Sequence, residues 1–118
     1  CDFTVYESGE VIGMLGHMHE IGSAYRLTLN PDGDREEVLL DIPVWNFSWQ
    51  LGYSPAEPLH LEPGDVLRLS CRFDRGLRHE TAPAWIVFAE GTSDEMCYTS
   101  LTVRPDLDLS SSPGLVID

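Results

Sequence analysis

The sequence has no long hydrophobic run. Although 42% of its 118 residues are hydrophobic, they occur in short pieces, and none approaches the about 18 consecutive apolar residues that a membrane-spanning helix needs. We therefore predict no transmembrane segment. A chain of this length is close to the usual size of one domain and buries about two-thirds of its surface on folding, which is enough for a hydrophobic core.

Basic residues are scarce. Seven Lys and Arg stand against twenty Asp and Glu, which gives a formal net charge of -13. This charge repels phosphate backbones and anionic membrane surfaces, so the sequence argues against a nucleic-acid partner. The acidity suits a protein that attracts cations, and it also suits one whose negative surface simply keeps it dispersed.

Several familiar site patterns are missing. The sequence has no paired Cys-x-x-Cys for zinc, no oxygen-rich calcium loop of the EF-hand type and no Gly-rich phosphate loop. A Ser-His-Asp triad stays open as an alternative, but no serine lies in a nucleophile elbow.

The three cysteines, Cys1, Cys71 and Cys97, cannot all pair within one chain. We favour Cys71 with Cys97, a bond worth roughly 3 to 4 kcal/mol in the chain-entropy description, which indicates an oxidising compartment. Cys1 has two interpretations: the acylated first residue of a mature lipoprotein, or a cysteine whose partner belonged to a longer protein. The sequence leaves both open.

Helical periodicity is also lacking, since no window carries a convincing period of 3.6 over ten or more residues. Turn signals recur at short intervals, for example Asn30-Pro31-Asp32-Gly33 and Glu62-Pro63-Gly64-Asp65. Between them, strand character with a period of two predicts an all-β, antiparallel β-sandwich. The predicted strands are residues 3–6, 11–19, 24–29, 37–42, 66–73, 84–89 and 99–103.

The pattern ends near Pro105. We predict a sandwich domain over residues 1–105 and a surface tail over 106–118, where Ser and Pro interrupt any alternation.

A metal site is predicted at His17 and His19. Alternate residues of a strand share a face and lie about 6.5 to 7 Å apart along it, so two imidazoles could bind one ion. Met96, in Asp94-Glu95-Met96-Cys97, adds a soft thioether, and this ligand set selects copper over zinc or calcium. Surface or core histidines, and a methionine that fills a core gap, are the alternatives.

The two other histidines differ in their setting. His60, in Pro58-Leu59-His60-Leu61, is interpreted as structural. His79 lies in a charged segment, and we expect it to be solvated, with an accessory role at the metal as the alternative.

Together these segments resemble a known family. In order, they are Gly16-His17-Met18-His19-Glu20-Ile21-Gly22, Trp45-Asn46-Phe47-Ser48-Trp49-Gln50-Leu51-Gly52-Tyr53, Pro63-Gly64-Asp65 and Gly91-Thr92-Ser93-Asp94-Glu95-Met96-Cys97. They are similar to the C-terminal domain of the copper type II ascorbate-dependent monooxygenases, which include peptidylglycine α-hydroxylating monooxygenase and dopamine β-monooxygenase. The resemblance covers roughly residues 2–104.

The resemblance implies a jelly-roll-like sandwich that holds one copper ion, the oxygen-activating copper of the family, through His17, His19 and Met96. It also implies a Cys71–Cys97 disulfide, because the family joins the cysteine after that methionine to one on an earlier strand. An open coordination position for dioxygen is expected on the same grounds. For the aromatic segment, Trp45, Phe47, Trp49 and Tyr53, we favour packing over a substrate wall.

Two features of the family are not matched. Its members carry a second, electron-delivering copper in an N-terminal domain, and the length and histidine content here do not provide one. The peptide-amidating enzyme binds its substrate carboxylate with an arginine and a tyrosine at positions that here are Leu15 and Ser100. Leucine cannot donate the paired hydrogen bonds that a carboxylate accepts from arginine, so a peptidylglycine substrate is not expected.

Three functions follow as hypotheses. The first is a monooxygenase-like oxidoreductase that uses an external reductant, such as ascorbate, or a redox partner. The second is a copper-sequestration or copper-transfer module, and the third is a scaffold for protein contacts. All three are expected outside the cytoplasm, in a secreted, periplasmic or cell-surface protein, and the first interpretation of Cys1 adds a lipid anchor.

Overall fold

A computed structural model describes residues 1–78, 85–91 and 94–106. Eight strands and one short 3-10 turn, Arg75–Leu77, make up the regular structure of this part of the chain. In chain order the strands are β1 (Asp2–Thr4), β2 (Gly9–His17), β3 (Gly22–Leu29), β4 (Glu37–Ile42), β5 (Gly52–Tyr53), β6 (Leu59–Leu61), β7 (Val66–Phe73) and β8 (Tyr98–Pro105).

The strands form two antiparallel sheets. One has the order β1-β7-β3-β4; in the other, β2 is central and pairs with β5, β6 and β8. Among the described residues, no helix is long and apolar enough to cross a membrane. The all-β antiparallel sandwich is thus confirmed, while its jelly-roll character stays a prediction.

The hydrophobic core lies between the sheets, as the alternation predicts. On β3, Tyr25, Leu27 and Leu29 are buried, and on β7 the same holds for Leu67 and Leu69. β2, β4 and β6 add Val11, Met14, Leu40, Leu59 and Leu61 to the cluster, and Met18 and Trp45 join it from outside the strands. Each buried aliphatic side chain contributes about 1.5 to 3 kcal/mol relative to exposure, so these inward faces hold the two sheets together.

Predicted and observed strands agree best where alternation is strong. β4 and β7 have the predicted bounds, 37–42 and 66–73. β5 and β6 were not predicted, because strands of two or three residues are too short to show a period. In the predicted strand 84–89, residue 84 lies outside the described residues, and the rest is wrong: Phe88 forms only an isolated bridge with Glu95.

The disulfide between Cys71 and Cys97 is confirmed, with Cα atoms 5.9 Å apart. It joins β7 of one sheet to the residue before β8 of the other, and it is compatible with an oxidising compartment. Cys1 is exposed and is not bonded to another cysteine. Its terminal amino group donates to the carbonyl oxygen of Leu69 over 2.9 Å.

β8 ends at Pro105, which coincides with the predicted domain boundary. Asp106 is the only residue of the predicted tail within the described part of the chain, and residues 107–118 lie outside it. The division of the chain at this boundary therefore stays a prediction.

Candidate metal centre

The two histidines meet at the end of β2. The strand ends at His17, so the prediction of a strand through residue 19 is wrong by two residues. The chain turns there instead, and the amide of Gly22 donates to the carbonyl oxygen of His19 over 3.2 Å. The two imidazole rings nevertheless lie edge to face with centroids 4.9 Å apart. Metal–imidazole bonds are about 2 Å long, so rings at this separation can share one ion.

Between them, Met18 points the other way. Its side chain is fully buried in the core, whereas His17 is half-buried and His19 is only 3% exposed. The two-residue alternation of the strand thus continues past its last hydrogen bond. The core residue Met18 fixes the direction of the histidines on either side.

Two glycines leave the space that this arrangement needs. A Cβ on Gly16 would lie 2.8 Å from the ring of Tyr25, and a Cβ on Gly22 would lie 2.8 Å from Met18 and 3.0 Å from Trp45. The two distances of 2.8 Å are too short for a real Cβ contact. Close packing therefore explains why glycine occupies these two positions, which flank the histidines in the sequence.

Met96 reaches the same place from the other end of the chain. A surface groove of about 510 Å³ is lined by Leu15, His17, His19, Phe47, Gln50, Glu90, Met96 and Tyr98. The three predicted ligands thus share one open groove. Among the described residues its lining contains a carboxylate, Glu90, and no Lys or Arg, so its electrostatics favour a cation.

His17 is held by the loop that follows β4. Its Nδ1 lies 2.7 Å from Oε1 of Gln50, while Nε2 of Gln50 donates to the carbonyl oxygen of Phe47 over 2.9 Å. Because a carbonyl only accepts, the amide group must present its oxygen to His17. Nδ1 of His17 therefore carries the proton, and the lone pair of Nε2 is available to a metal.

His19 is held by the segment before β8. Its Nδ1 lies 3.3 Å from the carbonyl oxygen of Asp94, and its backbone amide donates to Oε1 of Glu95 over 2.6 Å. The carbonyl again requires a proton on Nδ1 and leaves Nε2 as the free nitrogen. An outer oxygen partner on the ring is the usual arrangement for a metal-binding histidine.

Gln50 and Glu95 were missed by the sequence reasoning, although both lie in segments that carry the resemblance. Gln50 could have been sought as a ring partner, because metal-binding histidines usually need an acceptor for their second nitrogen. For Glu95, its position beside Met96 was the only available signal. The contacts themselves span 33 and 76 residues, which no local pattern shows.

The aromatic segment divides between the two roles considered for it. Trp45 is buried, and Tyr53 packs against the core. Phe47 lines the groove, with its ring centroid 6.1 Å from that of His19, and Trp49 is 72% exposed. Packing therefore accounts for half of the segment, and Phe47 belongs to the wall of the site.

Leu15 and Ser100 are direct partners across β2 and β8, two positions along from the pair His17 and Tyr98. The two positions at which the resemblance places carboxylate-binding residues are thus neighbours beside the groove. Neither side chain present here is a cation.

The remaining histidines fall elsewhere. His60 on β6 lies opposite Glu10, seven residues before His17 on β2 and roughly 23 Å away along the strand. It is paired with Glu62 and Asp106 on the surface. His79 lies outside the described residues, so its accessory role stays a prediction.

The groove also defines what kind of metal site could form. Within residues 1–78, 85–91 and 94–106, no three His, Cys, Asp or Glu side chains are gathered so that they could hold a metal ion. Among the described residues, Met96 is the further soft donor residue that lines the groove with His17 and His19.

Comparisons of the chain with known protein families, with curated proteins and with solved structures find no match.

Proposed function

We propose that this protein is a mononuclear copper protein whose ion is held by His17, His19 and Met96. The observation that supports the proposal is the shared groove, which is lined by His17, His19 and Met96 from distant parts of the chain. Both imidazoles have Nδ1 engaged with an oxygen, and within the described residues neither Nε2 has a hydrogen-bond partner. Two nitrogens and one soft sulfur form a donor set that suits copper, especially Cu(I).

We further propose that the site is of the oxygen-activating, monooxygenase-like type. The resemblance to the ascorbate-dependent monooxygenases supports this, as does the openness of the groove to solvent. When bound, copper would supply the one-electron and dioxygen chemistry, and an external reductant such as ascorbate or a redox partner would supply electrons. The chain's own residues would orient the two imidazoles and line the approach with Leu15, Phe47 and Tyr98.

Copper sequestration or transfer is the second candidate. A thioether ligand favours the reduced ion, and the carboxylate of Glu90 beside the groove would attract a cation without any redox step. In both cases we propose a protein that works outside the cytoplasm, since a disulfide persists best in an oxidising compartment.

The copper site is tested by X-ray absorption on protein loaded anaerobically with Cu(I). We expect one sulfur and two nitrogen scatterers in the wild type, and loss of the sulfur in Met96→Leu. His60→Ala is the matched control, because it removes a histidine far from the groove. A wild-type spectrum without sulfur, or one that Met96→Leu leaves unchanged, would contradict the proposal.

Oxygen uptake with ascorbate separates the two functions. Uptake above that of free copper, abolished in His17→Ala, supports the oxidoreductase. Tight Cu(I) binding with slow autoxidation and no excess uptake supports sequestration or transfer.

A further inference from the structure

Glu95 is a buried carboxylate between two of the proposed ligands. Only 6% of the residue is exposed. Three backbone amides donate to it: His19 over 2.6 Å and Met96 over 3.0 Å, both to Oε1, and Ile21 over 3.3 Å to Oε2. One oxygen atom is thus shared by the amides of two residues whose side chains line the groove.

The neighbours of Glu95 reinforce this connection. The carbonyl oxygen of Asp94 lies 3.3 Å from Nδ1 of His19. On the other side of Glu95, its backbone amide donates to Val87 over 2.9 Å, and its carbonyl accepts from Ala89 over 3.3 Å. Residues 94–96 therefore supply one proposed ligand, orient the ring of another and fix the backbone of both.

We propose that Glu95 is a positioning residue that makes His19 and Met96 a single unit, so that both are presented to the metal together or not at all. The inference rests on the proposed copper site and adds to it the means by which two ligands 77 positions apart acquire a fixed relation. A residue of purely structural value would affect stability. Glu95 also sets whether the thioether reaches the ion.

The direction of the effect follows from hydrogen-bond chemistry. Without the carboxylate, the amides of His19, Ile21 and Met96 lose their acceptor in a buried place, which is costly for each group. The backbone then shifts to reach water or another acceptor, and the geometry of the two ligands shifts with it. Glutamine retains one oxygen, which can still accept from His19 and Met96, while its NH2 group cannot accept from the amide of Ile21, the longest of the three bonds.

The experiment compares Glu95→Ala with Glu95→Gln in the full chain. Cu(I) affinity is measured by competition with a chromophoric chelator, and the sulfur scatterer is read by X-ray absorption. Loss of a partner just outside the ligands typically lowers metal affinity by about 10- to 100-fold. We expect a loss in this range for Glu95→Ala, with a weakened sulfur signal, while Glu95→Gln stays within about threefold of wild type and keeps the sulfur.

Two results overturn the inference: a wild-type sulfur signal and affinity in Glu95→Ala, or an equal loss in both variants, which would make the charge rather than the contacts responsible. If Glu95→Ala does not fold, Glu95→Asp replaces it. Aspartate keeps the charge but is one methylene too short for the contact with His19, and an unchanged sulfur signal there overturns the inference as well. The wild-type spectrum is read first, because absence of sulfur in it refutes the copper site itself and not the role of Glu95.

Discussion

The two histidines of the proposed site are two residues apart in sequence but are held in different ways. His17 ends a regular strand, is half-buried and has a side-chain partner, Gln50, from a loop. His19 lies in a turn, is buried and is held by the backbone and carboxylate of residues 94–95. The difference indicates that one ligand depends on a replaceable side chain and the other on the folded chain around it.

The largest effect should come from removing the anchor on the side of His19. The Cys71–Cys97 disulfide closes a separation of 26 residues next to Met96, and its loss should lower the free energy of unfolding by roughly 3 to 4 kcal/mol. We expect this in the variant Cys71→Ala/Cys97→Ala, measured by chemical denaturation. Cys1→Ala, which removes a free cysteine, is the control.

The same double variant should loosen His19 and Met96 more than His17. In protein without metal, amide exchange at residues 94–96 should become faster than at the end of β2. If amide exchange became faster by the same factor at residues 94–96 and at the end of β2, the two histidines would depend on the same part of the structure.

A smaller effect is expected on the strand that carries His17. In Gly16→Ala the new methyl group would meet the buried ring of Tyr25 at 2.8 Å, and overpacking of this kind costs about 1 to 3 kcal/mol. Gly52→Ala is the matched control, since its Cβ would meet nothing within 4 Å. Thermal unfolding of both variants checks the prediction, and equal midpoints would contradict the packing explanation.

Removing the partner of His17 should leave the fold intact and weaken the metal site. In Gln50→Ala, Nδ1 of His17 loses its acceptor, so the ring is free to rotate and to change tautomer. We expect Cu(I) affinity to fall by about tenfold, the lower end for such partners, with the sulfur signal retained. Ser48→Ala, an exposed change in the same loop, is the control, and equal affinities in the two variants would refute the role of Gln50.

The smallest effect concerns His60, which lies outside the site. Its hydrogen bond to Asp106 raises the pKa of His60 above the ordinary 6.5 and lowers the pKa of Asp106 below 3.8. The protonated histidine therefore stabilises the fold fully below about pH 6.5. This contribution is lost as pH rises through the raised value, and the contribution of Asp106 is lost as pH falls through its lowered value.

Denaturation of wild type and His60→Gln across pH 3 to 9 checks this window, whose flat part lies between about pH 3.8 and pH 6.5. The free energies of unfolding of the two proteins should differ most inside the window and converge both above and below it, while their Cu(I) affinities at one pH stay equal. A constant difference at every pH would show that the ion pairs with Glu62 and Asp106 contribute nothing.

Much of the fold could be predicted because it depends on local pattern. Along β3, β4 and β7, apolar and polar side chains alternate in the sequence, which predicts which face of each strand is buried. The two histidines lie on a common face because the apolar Met18 between them packs into the core. The two-residue strand Gly52–Tyr53 has no pattern of its own and exists because Met14 and Leu15 on β2 offer it hydrogen bonds.

The proposed ligands of the candidate site could be predicted from the sequence. The residues that hold those ligands in place, Gln50 and Glu95, could not. Imidazole and thioether groups attract notice by their chemistry, whereas Gln50 and Glu95 have many ordinary uses on a protein surface. Their partners are set by how the sheets stack. Only the folded chain shows that one turns its oxygen toward His17 and that the other is buried beneath His19.

Met18 gives the proposed site a thermodynamic signature. Because this residue is packed in the core between the two histidines, the unfolded chain cannot keep the imidazoles in their relation. An ion that binds only the native chain would then raise its melting temperature, with the increment growing with the logarithm of free metal concentration. A calorimetric titration against Cu(I) would therefore report occupancy without any enzyme assay.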